Sequence, residues 1–324
     1  MRATSIVFAA VAVAFLGSAA PAEALAPKVR IAAAYELPGR SVYPEGITAD
    51  PRTGHLYAGS FADGTIFQMT PGRRVARTFI PAGADGRRTA NGLEVDRFGR
   101  LWVIDSTSGV MVYDTRSRAL LARFEVSGTG GRFVNDLAIT RDGTAYLTDS
   151  VRAVVYRVTR EQVDDAGERP SALRPHFDLS GVLDPHAPNA YTLNGIAADP
   201  AGRYLLTADM TGGDLYRLDP ETGAIRRVSL KGADMTHADG LELRSGTLWV
   251  VHNVSNAISR WRLREDGTQA RMERRVADAA LQLPTTLVRL RGSLHVVRSQ
   301  FDKGGPLGPG VPQRPFTIAS VHGL

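Results

Sequence analysis

Six residues of this 324-residue chain stand at matching places in six copies of one short pattern, and each carries a side-chain oxygen. They are Glu45, Asn91, Asn135, Asn194, Asp239 and Thr285. Equivalent positions in a cyclic repeat converge, so the six oxygens should meet at one mouth of a central channel. Two carboxylates among amides and a hydroxyl form a hard donor set. Such a set suits Ca²⁺, which accepts about six to eight oxygens, better than Mg²⁺ with its tight octahedron. Zn²⁺ would want His or Cys, and this ring has neither. The same residue types also serve as local turn residues before a strand, so each position taken singly has a plain backbone reading. Asp136 follows Asn135 where the other strong copies carry Gly. It either orients a ligand from behind or caps the strand.

The copies show what must position these residues. They read EGITADPRTGHLYAGS from Glu45, NGLEVDRFGRLWVIDS from Asn91, NDLAITRDGTAYLTDS from Asn135, NGIAADPAGRYLLTAD from Asn194, DGLELRSGTLWVVHN from Asp239 and TTLVRLRGSLHVVRS from Thr285. Each is a polar start, an alternating strand, a turn containing Gly and a second apolar strand. The starts are 46, 44, 59, 45 and 46 residues apart. Third strands follow at 65–69, 110–113, 154–158, 214–218 and 257–262, and more polar fourth strands at 76–80, 122–126 and 225–230. Four strands in each period of this length predict an all-β, six-bladed β-propeller with four-stranded blades. The last copy supplies only three strands, ending at 316–321, so the N-terminal strand 29–37 should close the ring. The long spacing implies an inserted Pro- and Asp-rich loop around 161–186. A two-domain β-sandwich is the competing architecture, and the matched turns argue against it.

Composition narrows the function classes. Zero Cys removes thiolate catalysis, iron–sulfur clusters and Cys zinc sites. The net charge of +6 comes from scattered Arg pairs rather than a basic run with interleaved aromatics, so no nucleic-acid partner is expected. No G-x-S-x-G elbow, H-E-x-x-H motif or Walker loop is present. Residues 1–26 read as a secretory signal: Arg2, an apolar stretch at 5–16 too short to span a bilayer, then overlapping A-x-A sites. Residues 27–324 would then be the propeller, exported or periplasmic, with no membrane span. Asn253-Val254-Ser255 matches a glycosylation acceptor.

The segments PEGI at 44–47, VNDLAI at 134–139, LNGIAADP at 193–200 and ADGLEL at 238–243, in this order and spacing, resemble the senescence-marker-protein/gluconolactonase family. They are similar also to paraoxonases, diisopropylfluorophosphatases and calcium-dependent phosphotriesterases. The resemblance implies a Ca²⁺-dependent hydrolase of lactones, or of related esters and phosphotriesters, acting on a small-molecule substrate. It implies Glu45, Asn135, Asn194 and Asp239 as metal ligands, with Asp239 also the general base or nucleophile. Asn91 stands where paraoxonases carry a His, so a His-assisted water is not expected there. Weaker channel or substrate candidates are Asn91, Asp136, Asp149, His252 and Thr285. Asp105 and Asp149 return to the ligand-bearing mouth, where each either touches substrate or caps a turn. His237, two residues before Asp239, is a further candidate. The competing reading is an exported, non-catalytic propeller that holds a ligand or protein partner. A strictosidine-synthase-like enzyme is a third, disfavoured by Glu45 and Asp239.

Overall fold

The computed structural model describes residues 28–167 and 169–324, so the expected signal segment lies outside the described residues. Alternating apolar residues and Gly-containing turns fold them into an all-β, propeller-like molecule with very little helix. The six predicted turn glycines, Gly54, Gly99, Gly143, Gly202, Gly246 and Gly292, all sit at φ between 70° and 94°. Side chains with a Cβ rarely adopt that region, and it lets each first strand reverse sharply into its second.

Each repeat builds an antiparallel meander. The first is Pro44–Ala49, Leu56–Ser60, Ile66–Met69 and Arg77–Ile80, paired in that order. The second and third meanders share one eight-stranded sheet, because their outermost strands pair in parallel, Ser171–Asp178 against Leu120–Val126. The fourth runs from Leu193–Ala198 to Ile225–Arg227. The fifth, Ala238–Arg244 through Gln269–Ala277, gains a fifth strand when Ser229–Lys231 pairs in parallel with its edge. The expected fourth strand at 225–230 is thus split between two sheets. In the last sheet Arg30–Leu37 lies antiparallel to Phe316–His322, so the N-terminal strand completes the meander that the C-terminal repeat leaves short.

Six apolar clusters fill the spaces between successive meanders, and one of them packs the last against the first through Leu37, Ile47, Val297 and Phe316. The innermost strands touch one another in sequence and close a circle. Burial of this apolar surface is the main force holding neighbouring sheets face to face.

The long third repeat departs from expectation. Its extra residues are not a plain loop. Thr159 caps a short helix, Arg160–Asp164, through a reciprocal box with Gln162, and Ser171–Asp178 forms the fourth strand. Leu173 and Phe177 bury their side chains, and the pairing shifts register next to Pro175. Among the described residues no helix is long and apolar enough to cross a membrane.

Candidate metal centre and active site

The inner strands aim the ring residues by a shared irregularity. In the first, third, fourth and fifth meanders the pairing of first and second strands breaks between Pro44 and Ile47, Val134 and Leu137, Leu193 and Ile196, and Ala238 and Leu241. Each break frees two residues from the ladder, and such a bulge re-aims side chains. The freed pairs begin with Glu45, Asn135, Asn194 and Asp239, the four residues that the resemblance implies as ligands. Asn91 and Thr285 instead lie two residues ahead of Leu93–Val95 and Leu287–Leu290.

The residue after each ring position faces the neighbouring strand at close range. A Cβ on Gly46 would stand 2.1 Å from the Asn91 carbonyl oxygen, and one on Gly195 2.1 Å from that of Asp239. Gly92 N donates to Asn135 O at 3.0 Å, and Gly240 N to Thr285 O at 2.7 Å. Thr285 Oγ1 donates to Glu45 O at 2.7 Å, which joins the sixth repeat to the first. Thr285 therefore clasps the ring through its hydroxyl.

All six ring side chains are buried. Glu45 Oε2, both amide atoms of Asn91, and Asn194 Oδ1 have no hydrogen-bond partner. Asn135 donates through Nδ2 to Ser150 Oγ at 2.9 Å, leaving its oxygen to face elsewhere. Asp239 Oδ2 accepts from Asn253 Nδ2 at 2.7 Å. Burial, and then the charges of Asp239 and Asp136, push the Glu45 carboxyl well above the usual carboxylate range. Burial also raises Asp239 well above it; the Asn253 and Asn194 amides oppose this, while Asp136 adds to it. Asp136 itself is pushed up to about 7 by burial, against hydrogen bonds from Leu137 and Ile196 N–H.

Three carboxylates that repel one another, beside orphaned amide and carboxylate oxygens, make a donor set fitted to a hard cation. Unpartnered buried polar atoms are otherwise costly. Among the described residues, acidic and His side chains alone form no group of three that could hold a metal. Amide oxygens from Asn91, Asn135 and Asn194 would have to complete the shell.

Below the ring the channel opens into a cavity of about 540 Å³. Thr48, Glu94, Asp136 and Glu242 line it. Glu94 accepts from Ile139 N at 2.9 Å and is pushed well above the usual range by burial; Glu242 rises to about 7 for the same reason. The sequence reading missed both, although the pattern gave a signal. In NGLEV and DGLEL one Glu interrupts an apolar alternation, which turns it away from the inter-sheet core. The partners Ser150 and Asn253, which directly follow the second strands Ala145–Asp149 and Thr247–His252, were not expected either.

Three further candidates spend their polar atoms inside the fold, which for Asp149 and Asp105 is the turn-capping alternative. Asp149 is fully buried and accepts from Phe133, Val151 and Arg152 N–H and from the Tyr156 hydroxyl, so it caps the turn. Asp105 does the same for Arg88 and Thr107. His252 is fully buried, its ring nitrogens against Thr236 O and Ser259 Oγ, and burial lowers it to about 4. None presents a free polar group to the mouth, because the geometry of each turn points the side chain into the sheet edge. His237 immediately precedes the inner strand Ala238–Arg244, at φ 61°, with Nδ1 2.8 Å from Ser255 Oγ.

Comparison with known proteins agrees with this architecture. The chain aligns with regucalcin, a calcium-binding protein from Agrobacterium tumefaciens, at 16% identity and TM-score 0.59, over 88% of this chain and 91% of that one. It aligns with the major allergen Mala s 1 of Malassezia sympodialis at 15% and 0.61, over 87% and 93%. It aligns with virginiamycin B lyase from Staphylococcus aureus at 11% and 0.55, over 91% and 99%. At these identities the likeness is one of fold. No curated protein matches by sequence. Residues 43–281 match the family described as the SMP-30/gluconolactonase/LRE-like region, and the span covers the ring residues Glu45 through Asp239. The chain belongs to the SMP-30/gluconolactonase/LRE-like family.

Proposed function

We propose that the six meanders are the blades of a six-bladed propeller and that the chain is an exported, Ca²⁺-dependent hydrolase. Its substrates would be lactones or related esters and phosphotriesters. The observation that carries this reading is the set of unpartnered oxygens on Glu45, Asn91 and Asn194, held against the repelling carboxylates of Asp239 and Asp136. Glu45, Asn135, Asn194 and Asp239 would hold the cation, with Asn91 at the same ring. When bound, the cation supplies Lewis-acid polarisation of the substrate's carbonyl or phosphoryl oxygen.

The remaining steps belong to the chain. Asn253 fixes one Asp239 oxygen; the carboxylate would take a proton from the attacking water as the new C–O or P–O bond forms, and return it to the alkoxide oxygen whose bond breaks. Ser150 holds the Asn135 amide in one orientation. Burial of the ring keeps bulk water from competing with these contacts. Residues 1–26 would direct export.

The test is hydrolysis of a lactone and phosphotriester panel by the full chain, before and after chelation, with circular dichroism alongside. Turnover that chelation abolishes while the fold persists supports the proposal. No turnover with any divalent ion would replace it with the ligand-binding propeller.

A further inference from the structure

The mouth above the ring carries a feature that the ring chemistry does not use. Tyr43 and Phe133 stand two residues before Glu45 and Asn135, and Tyr191 three before Asn194. Phe61 directly follows Ser60, the register partner of Pro44. Phe301 follows Ser299 by two residues, just past its second strand. All five are therefore placed where the inner strands begin. Their rings form one continuous series: Tyr43 to Phe301 at 6.4 Å, Phe301 to Phe61 at 5.2 Å, Phe61 to Phe133 at 6.5 Å and Phe133 to Tyr191 at 5.0 Å.

These rings come from the sixth, first and third repeats and from the loop into the fourth. The contact between Phe61 and Phe133 bridges the second repeat, whose ring residue is Asn91. The arc stops short of the fifth repeat, which carries Asp239 and has His237 immediately before its inner strand instead.

Phe61, Phe133, Tyr191 and Phe301 belong to none of the six inter-sheet cores. Phe61 and Phe133 are half-buried, and Tyr191 is 48% exposed, whereas Phe301 is buried and Tyr43 packs on Phe316 of the core between the last and first meanders. Core packing accounts for Tyr43 and Phe301, and does not call for Phe61, Phe133 and Tyr191 to extend the series toward solvent. Apolar walls with a few convergent polar groups are the ordinary build of a small-molecule site. The Tyr43 hydroxyl is spent on Lys303 O at 3.0 Å, so Tyr191 carries the one hydroxyl of the arc left for a ligand. The arc offers faces on which a ring can stack but one free hydroxyl, too few hydrogen-bond partners for a polyhydroxylated ligand.

We infer that this arc binds the apolar substituent of the substrate, so that the site selects alkyl- or aryl-substituted lactones over sugar lactones, with the ester group directed to the Asp239 side. The inference rests on the hydrolase reading for its chemistry and on the arc for its selectivity.

The test compares kcat/KM of the Ca²⁺-loaded full chain for γ-decalactone, γ-butyrolactone and glucono-δ-lactone. The expected preference for γ-decalactone is at least about tenfold over each of the others. Tyr191→Ala, at an exposed position, and Phe133→Ala should each erase most of that preference, chiefly through KM. Equal rates on all three lactones, a preference for glucono-δ-lactone, or variants that lower all rates in proportion would overturn the inference.

A binding arm uses 2-hexylcyclopentanone, which cannot be hydrolysed. If no lactone turns over but the ketone binds the wild type and not Tyr191→Ala, the arc stands and the hydrolase reading falls. If lactones turn over and the ketone does not bind, the hydrolase reading stands and the arc falls.

Discussion

Asp239 is buried, shares the ring with Glu45, lies near Asp136, and is anchored through one oxygen by Asn253. Asp239→Asn keeps the volume and removes the charge. It should cut turnover by about a hundredfold or more and weaken Ca²⁺, as steady-state kinetics and titration would read. Asn253→Ala leaves every ligand in place. It should lower kcat by about ten- to a hundredfold while the protein stays folded, because the carboxylate loses its orientation. The ring itself was legible in the sequence, since six matched starts each carry an oxygen. The inward fate of His252 was not, while for Asp149 turn capping was one of two readings. Spacing brings a residue to the mouth, while the turn that follows decides which way its side chain points. Asn253 looked like a glycosylation acceptor, yet it is buried and its Nδ2 is engaged.

The inner strand is the element that converts repeat into site. Its bulge turns two residues toward the axis, and the Gly in second place lets the next strand approach. Gly195→Ala would drive a methyl into the Asp239 carbonyl. It should destabilise the fold by about 1–3 kcal/mol in chemical denaturation and weaken the cation site with it. The closing strand gives a second prediction. Deleting Arg30–Leu37 bares the edge of Phe316–His322, so the truncated protein should melt lower and associate, as scanning calorimetry and light scattering would record. Hairpins and third strands were readable because Gly turns and alternation coincide. Ser171–Asp178 was not, because Pro170 and Pro175 flank and interrupt it. Pro175 lies past Ser171, Ala172 and Leu173, the residues paired with Leu120–Val126, so one side of the strand is unpaired there and tolerates Pro, and the breaker signal misled.

At the scale of the whole molecule, the ring and channel gather Glu45, Glu94, Asp136, Asp239 and Glu242, all raised chiefly by burial. A carboxyl with a raised folded value binds its proton more tightly in the folded chain. Its stabilising contribution is complete below the ordinary carboxyl range and is lost as pH rises through the folded value, about 7 for Asp136 and Glu242. His252 and His295, lowered to about 4 by burial, take up protons more readily in the unfolded chain as pH falls through about 6.5, and so oppose the carboxyls' slope below that value. The metal-free protein should therefore lose stability as pH rises from about 4.5 to about 7, the carboxyls outnumbering the imidazoles where the two slopes oppose. Added Ca²⁺ should restore more of it at the upper end, as thermal melts at fixed ionic strength would show.

If the ring is built for one divalent cation, calorimetric titration of Ca²⁺ into the metal-stripped chain will show it. One site per chain is expected, with affinity of about micromolar or tighter, and at least about tenfold weaker binding in Asp239→Asn. Absence of heat and of thermal stabilisation with Ca²⁺, Mg²⁺ and Mn²⁺ while the fold is intact, or an affinity that Asp239→Asn leaves unchanged, would contradict it.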